Sequence, residues 1–210
     1  RGRAGHAAIL EHYMAWVDAL GIKDYYAAGS SYGAGISSLF YLERPEAMKK
    51  LIIVGASSVF RPASDQQQGF SKSYENATSA LRHPTFETCR KRLGNVCYDQ
   101  SSVDDAFMLV QLTSYAQEYI LPAYEAIAQA NMNPEVSAPY RVVDKLEKIE
   151  LPTLIITGRD DVRAPVQNAI DGQKRIPNSE IAIFEKCGHM PMMEHPDQFN
   201  ETVTEFLKRD

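Results

Sequence analysis

Four short apolar runs constrain the fold of this chain more than any other feature, because a turn and then a helical pattern follow each of them. The runs are DYYAAGS at 24–30, KLIIVGAS at 50–57, LPTLIITG at 151–158 and SEIAIFEK at 179–186. Apolar strands that alternate with helices are typical of a parallel sheet with both faces covered. The sequence therefore predicts an α/β fold with a mostly parallel sheet flanked by helices.

The helical segments carry recognisable end signals. Apolar residues recur at helical spacing in 6–22, and Gly21 is predicted as the C′ residue that ends this helix. A second helix is predicted from Tyr32 to Arg44, since Pro45 stops it. The last helix is predicted within 195–208, with Pro196 at its first position.

The alternation stops after about residue 60. Residues 61–83 are polar, and the stretches 86–97 and 103–129 are helical in pattern. A long insertion between sheet strands is often a lid over a binding site. We therefore predict three parts: 1–60 and 150–210 as the core, and 61–149 as a helical cap or lid.

The stretch Gly29-Ser30-Ser31-Tyr32-Gly33 lies where a predicted strand turns into a predicted helix. That context fits a nucleophile elbow, in which the central serine occupies a strained turn and the two glycines let strand and helix approach. The alternative is a small-residue turn without chemistry. In the elbow interpretation Ser31 is the nucleophile and the backbone N–H of Tyr32 stabilises an oxyanion.

Two further turns supply an acid and a base. Asp160 and Asp161 follow the third strand, and His189 follows the fourth. The order Ser, Asp, His, each after a different strand, is typical of α/β-hydrolases. Either aspartate can instead cap the next helix, and His189 can be a surface turn residue. The three turns together favour a catalytic triad.

Composition narrows the function further. The formal net charge of −5 argues against nucleic acid or an anionic membrane as the main partner, and no apolar run is long enough to span a bilayer. Three scattered cysteines favour a reducing, cytoplasmic location, and no zinc-ligand spacing is present. We expect a small-molecule substrate and no cofactor or metal, and homo-oligomerisation is left open.

On these residues the chain resembles the α/β-hydrolase fold family, and within it the meta-cleavage-product hydrolases, which split carbon–carbon bonds in ring-fission products. The resemblance rests on the stretches VDALGI at 17–22, GSSYG at 29–33, RKRLGNVCYDQSSV at 90–103, LPTLIITGRDD at 151–161 and FEKCGHMPMMEHPDQFNETVTEFL at 184–207. It implies Ser31 as nucleophile, His189 as base and, from the family's acid-to-base interval, Asp161 rather than Asp160 as the acid.

Three positions depart from the pattern of these hydrolases. Ser30 stands where they usually have Asn, Met190 where they usually have Trp, and Gln111 where they have a substrate-binding arginine. We expect all three residues to contact substrate. Because Gln111 carries no positive charge, the lid would lack the cation that binds an anionic substrate in the family. This favours a less charged substrate, such as an ester, a lactone or a neutral diketone.

A fourth departure concerns the strands before Ser31. In the family the nucleophile follows the fifth strand, whereas here it follows one helix and one strand. We therefore expect a complementary N-terminal segment of the same protein to supply the missing strands and the second oxyanion donor, since the sheet would otherwise keep an open edge.

The sequence thus predicts a serine hydrolase that acts on a carbon–carbon bond or on an ester or lactone. Two alternatives remain open. One is a cofactor-free oxygenase or haloperoxidase-like enzyme on the same fold, and the other is a ligand-binding sensor with vestigial hydrolase activity. Oxygen consumption would identify the first, and tight stoichiometric binding without turnover would identify the second.

Overall fold

Four parallel strands form one sheet in the order β1-β2-β3-β4. The computed structural model describes residues 5–209, apart from the side chains of 63, 66–70 and 72. The strands are β1 (Tyr25–Ser30), β2 (Met48–Val54), β3 (Thr153–Gly158) and β4 (Ser179–Phe184). The parallel sheet predicted from the four apolar runs is confirmed.

Helices connect the strands. They are α1 (His6–Ala19), α2 (Tyr32–Glu43), α3 (Ser57–Phe60), α4 (Gln66–Arg82), α5 (Phe86–Gly94), α6 (Asp105–Tyr115), α7 (Ile120–Met132), α8 (Pro134–Ser137), α9 (Val166–Gln173), α10 (Pro191–Glu194) and α11 (Pro196–Lys208). Short 3-10 helices lie at Ala63–Asp65, Gln100–Ser102, Ala138–Tyr140 and Val142–Lys148.

The central strands bury alternate residues on opposite faces, because successive side chains of a strand point to opposite sides of the sheet. Leu51, Ile53 and Ile155 pack in a cluster with residues of α1 and α2. Ile52 and Ile156 pack in a second cluster with residues of α11. Helices thus cover both faces, which explains why β2 and β3 read as nearly continuous apolar runs.

The predicted helix ends agree with the structure at both termini. Gly21 has a φ of 63° and follows the last turn of α1, as a C′ residue does. Pro196 begins α11, where its missing N–H costs no helical hydrogen bond. Residues 32–43 form α2, which ends two residues before Pro45.

The long helical stretch predicted at 103–129 is two helices, α6 and α7, separated at 116–119. Proline lacks an N–H and its ring clashes with the carbonyl four residues earlier. Pro122 therefore prevents one continuous helix, yet it fits in the first turn of α7.

The segment between β2 and β3 has a small apolar core of its own. Cys89, Leu93, Val103 and Met108 form this cluster, and Met193 from beyond β4 packs against it. The insertion is thus helical and contacts the core near the histidine turn. Its division from the core at residues 61 and 149 stays a prediction.

Within 5–209, no helix is long and apolar enough to cross a membrane. All three cysteines are free thiols, and Cys89 and Cys187 are buried. The cytoplasmic location stays a prediction.

Candidate active site

Ser31 occupies a strained turn between the end of β1 and the start of α2. Its φ of 52° lies in the left-handed region that residues other than glycine rarely adopt. Its N–H donates to the Val54 carbonyl at 2.8 Å, and the Ser58 hydroxyl donates to the Ser31 carbonyl at 2.6 Å. Strain of this kind costs about 1–3 kcal/mol and persists only where neighbouring groups hold it.

The two glycines of the turn differ in their surroundings. A Cβ added at Gly29 would lie 2.4 Å from the Gly33 carbonyl oxygen and 2.5 Å from the Ala34 nitrogen. Gly29 therefore permits the close approach of strand and helix, as predicted. For Gly33 the prediction is wrong, since among the described residues an added Cβ there would meet no atom within 4 Å beyond its chain neighbours and the nearby backbone of its own helix.

His189 and Asp161 meet at the carboxyl ends of β4 and β3. His189 Nδ1 lies 2.7 Å from Asp161 Oδ2, and the Asp161 side chain is fully buried. The other carboxylate oxygen accepts the N–H groups of Arg163 at 2.7 Å and Ala164 at 2.9 Å. These bonds fix the carboxylate, which in turn orients the imidazole. Asp160 is exposed, which favours Asp161 as the acid.

Two further residues hold the histidine turn in place. The Glu194 carboxylate accepts N–H groups from Gly188 at 3.0 Å, from Met190 at 3.2 Å and from Tyr98 of the inserted segment at 2.6 Å. Gly55 has a φ of 53°, and a Cβ there would lie 2.9 Å from the His189 carbonyl oxygen. Neither residue was predicted to contact the site, because nothing local to either of them points to His189.

Ser31 and His189 line the same cavity, whose volume is about 470 Å³. This lies in the range of small-molecule sites, roughly 300–1,000 Å³. Ser30, Gln111 and Met190, predicted to contact substrate, also line it. The structure thus brings the predicted residues together, whereas their catalytic and binding roles stay predictions.

Ser31 and His189 share the cavity without a direct hydrogen bond between them in the described part of the chain. The hydrogen bonds of residues 5–209 include none between the Ser31 hydroxyl and His189. Catalytic hydrogen bonds are often long before substrate binds. Tyr32 is the first residue of α2, where helical N–H groups have no intrahelical partner, and the oxyanion role of its N–H stays a prediction.

One wall of the cavity is built around the Tyr32 side chain. Its hydroxyl accepts from Asn131 Nδ2 at 3.1 Å, and its ring centroid lies 5.0 Å from that of His6. Burial raises the pKa of Tyr32 to about 12 and lowers that of His6 to about 4. Both side chains are therefore uncharged at neutral pH.

Arginines also line the cavity, and none of them was predicted to contact the site. Arg92 Nη1 lies 3.5 Å from Gln111 Oε1. The cation that Gln111 lacks is thus present beside it, supplied by α5 instead of α6. The inference from Gln111 to a less charged substrate is therefore not supported by the structure. A local signal was absent, because Arg92 lies in an ordinary basic run, RKR, at 90–92.

A family model described as alpha/beta hydrolase fold matches residues 3–196. The chain is 28% identical over 199 residues to a 2-hydroxy-6-oxononadienedioate/2-hydroxy-6-oxononatrienedioate hydrolase of Burkholderia vietnamiensis, covering 92% of this chain and 65% of that protein. It is 29% identical to a 2-hydroxymuconate semialdehyde hydrolase of Pseudomonas putida, covering 98% of this chain and 70% of that protein. The chain thus spans about 65% of the length of the first relative.

Solved structures give the same picture of the fold. A meta-cleavage product hydrolase from Pseudomonas fluorescens IP01, CumD, superposes with a TM-score of 0.75 at 21% identity, covering 99% of this chain and 73% of that one. The 2-hydroxy-6-oxo-6-phenylhexa-2,4-dienoate hydrolase of Rhodococcus sp. strain RHA1 superposes with a TM-score of 0.76 at 15% identity. The superposition covers 97% of this chain and 71% of that one.

Proposed function

This chain belongs to the α/β-hydrolase fold family, and on that premise we propose that Ser31, His189 and Asp161 form the triad of a serine hydrolase. The observation that carries the proposal is the 2.7 Å contact between His189 and Asp161 beside the cavity that the Ser31 turn also lines. A serine hydroxyl is a weak nucleophile near neutral pH and needs such an oriented base.

Each residue has a defined task in this proposal. The Ser31 oxygen attacks a carbonyl carbon of the substrate and passes its proton to His189 Nε2. Asp161 accepts the Nδ1–H of the imidazole and stabilises the imidazolium that forms. The Tyr32 N–H donates to the oxygen that becomes negative. Water activated by His189 then hydrolyses the acyl-enzyme and frees Ser31.

We propose a carbon–carbon bond of a meta-cleavage product as the bond that is broken, since both curated relatives described above are named as hydrolases of such compounds. The 6-oxo carbonyl that Ser31 attacks already adjoins the bond to be cleaved. The 2-hydroxy enol must first become a ketone, which moves a proton to the carbon on the other side of that bond and leaves a carbonyl conjugated with it through a double bond. When the tetrahedral adduct collapses, the electron pair of the broken bond is delocalised onto this ketone oxygen, which takes the proton held by His189 and becomes the enol of the departing product.

We further propose that a preceding segment of the same protein pairs with β1 and supplies a second oxyanion donor. Within the described residues β1 pairs on one side only, with β2. Tyr26 of this strand is 54% exposed although its ring is large and apolar. An open strand edge favours association between chains. A monodisperse and active monomer of these 210 residues would contradict this proposal.

The test of the catalytic proposal is covalent labelling. A fluorophosphonate probe should add once to the protein, as read by intact mass, and the adduct should disappear in Ser31→Ala. Ser79→Ala is the matched control, because Ser79 is exposed on α4 and donates only to Asn76 of its own helix. An adduct that survives in Ser31→Ala would contradict the assignment of the nucleophile.

The bond type needs a second measurement. Loss of the dienolate absorbance of a meta-cleavage product, followed beside hydrolysis of an aryl ester, separates the two classes of reaction. Ester cleavage with no turnover of any meta-cleavage product would refute the carbon–carbon proposal and leave the serine hydrolase in place.

A further inference from the structure

Asn131 joins the inserted segment to the start of α1 and to the Ser31 turn. It lies in the last turn of α7, and only 4% of its surface is exposed. Its Oδ1 accepts the backbone N–H of His6 at 3.2 Å, and its Nδ2 lies 3.1 Å from the Tyr32 hydroxyl oxygen. One buried amide thus holds two residues that are 125 and 99 positions away from it in the sequence.

The orientation of this amide follows from its first partner. A backbone N–H can only donate, so the carbonyl oxygen of Asn131 must face His6 and its NH₂ group must face Tyr32. Gly5 leaves the room for this arrangement, because a Cβ there would lie 2.5 Å from Asn131 Oδ1. An amide NH₂ group only donates, so the Tyr32 oxygen is the acceptor of this hydrogen bond.

The Tyr32 hydroxyl therefore keeps its own proton for another acceptor. A phenol donates one hydrogen bond while its oxygen accepts another. Within the part of the chain that the structure describes, Asn131 is the only hydrogen-bond partner of this hydroxyl. Tyr32 and Asn131 both line the cavity that Ser31 also lines. A ligand in this cavity is thus the available acceptor for the Tyr32 O–H.

The side chains around this hydroxyl are uncharged and poorly solvated. Burial raises the pKa of Tyr32 to about 12, although the hydrogen bond from Asn131 lowers it. Burial likewise lowers the pKa of His6, whose ring contacts that of Tyr32, to about 4. The phenol therefore stays protonated at neutral pH and remains a donor. Because Asn131 and His6 carry no charge there, they suit a neutral acceptor, which loses less than an anion when it leaves water.

We propose that Tyr32 is a specificity-determining residue, whose hydroxyl donates to a neutral acceptor oxygen of the substrate beside the reacting carbonyl. Asn131 is its positioning residue, because the amide donates to the phenol oxygen and leaves the O–H for the ligand. The acceptor lies beside the carbonyl because Tyr32 directly follows Ser31. The inference rests on the proposed function for the place of that carbonyl, but it concerns binding and is tested without turnover.

The test uses three neutral ketones whose chains have the same length. 5-Nonanone carries two alkyl chains on its carbonyl. In 1,5-dimethoxypentan-3-one and 1,3-diethoxypropan-2-one an ether oxygen, which only accepts hydrogen bonds, replaces one CH₂ of each chain at a different distance from the carbonyl. Since each ketone is symmetrical, the result does not depend on which chain faces Tyr32. All three are titrated by calorimetry into the Ser31→Ala protein, which cannot form a covalent adduct with them through residue 31.

Variants in the same background assign the contact. In Tyr32→Phe the affinity for at least one ether, relative to 5-nonanone, should fall about 3- to 10-fold, because one hydrogen bond is lost. Asn131→Asp at pH 8 should give the same fall although the hydroxyl is kept, since a carboxylate only accepts and takes the phenol proton. Tyr124→Phe is the matched control, because Tyr124 also lines the cavity but donates to the Ser73 carbonyl at 3.5 Å. Circular dichroism checks that each variant is folded.

Two results would overturn the role of Tyr32: an unchanged relative affinity for both ethers in folded Tyr32→Phe, or an equal fall in Tyr124→Phe. A fall in Tyr32→Phe without one in Asn131→Asp would overturn the positioning role of Asn131. Fluorophosphonate labelling of Ser31 in the parent protein separates these failures from failure of the catalytic proposal. Labelling without an effect of Tyr32→Phe refutes the specificity role alone, and the effect without labelling refutes the catalytic role alone.

Discussion

Glu194 connects the histidine turn to the inserted segment, and its removal gives a sharp test of the site's architecture. Oε1 accepts from the N–H groups of Gly188 and Met190, and Oε2 accepts from Tyr98 at 2.6 Å. In Glu194→Ala these three N–H groups lose their acceptor in a partly buried place. Losing bonds to a charged acceptor costs about 1.5–3 kcal/mol each before the site relaxes. We expect a net loss of about 3–5 kcal/mol in the free energy of unfolding.

The assay is urea unfolding followed by circular dichroism. Glu194→Gln keeps one acceptor oxygen but turns an NH₂ group toward the other donors, so we expect it to lose about 1–2 kcal/mol. The control is Glu185→Ala, because Glu185 pairs with Arg159 at the surface, where an ion pair contributes about 0–1 kcal/mol. A loss below about 1 kcal/mol in Glu194→Ala, equal to that control, would refute the reasoning.

Three further predictions concern other parts of the chain. Gly29→Ala should destabilise the protein by about 2–4 kcal/mol in urea unfolding and abolish fluorophosphonate labelling, because the alanine Cβ would lie 2.4 Å from the Gly33 carbonyl oxygen. Gly33→Ala should cost less than about 1 kcal/mol in the same unfolding assay. Lys50→Met should lower the unfolding free energy by about 1–3 kcal/mol, because the buried Lys50 ammonium donates to the Phe206 and Leu207 carbonyls at 3.1 Å and closes the end of α11; an unchanged value would contradict this contact. For His6, burial lowers the pKa from 6.5 in the unfolded chain to about 4 in the folded protein, so between these pH values the unfolded chain binds more protons than the folded one. The free energy of unfolding should therefore be at its full value above pH 6.5 and fall by about 2–3 kcal/mol as the pH drops from 6.5 to about 4. His6→Phe should flatten this part of the pH profile of unfolding.

Much of the fold could be predicted because its signals are local. The β-branched run at 52–54 and the apolar run at 154–156 are buried on both faces of the sheet, and such strands need no distant information to be recognised. Ser31, Asp161 and His189 each directly follow a strand. Since parallel strands end at the same edge of the sheet, their convergence followed from strand order alone. The left-handed Gly21 and the proline that begins α11 are likewise local chemistry.

The surroundings of Ser31, Asp161 and His189 depended on tertiary structure. Ser58 contacts Ser31 across 27 residues, and Glu194 reaches Tyr98 across 96. Neither pair has a spacing that a helix or strand period would reveal. The same holds for Gly33, whose place in the GxSxG pattern predicted tight packing that the fold does not have there.

The charge of the cavity shows most clearly what each level determines. The sequence predicted a lid over a serine site, and the resemblance to meta-cleavage-product hydrolases implied that Gln111 stands in place of a cation. Folding brings Arg92 beside Gln111 and links Arg61 to Arg163 across 102 residues. Local pattern determines where strands, helices and turns occur, since backbone geometry is set by near neighbours. The electrostatics of a cavity depend on which distant side chains share it, and that only the tertiary structure decides.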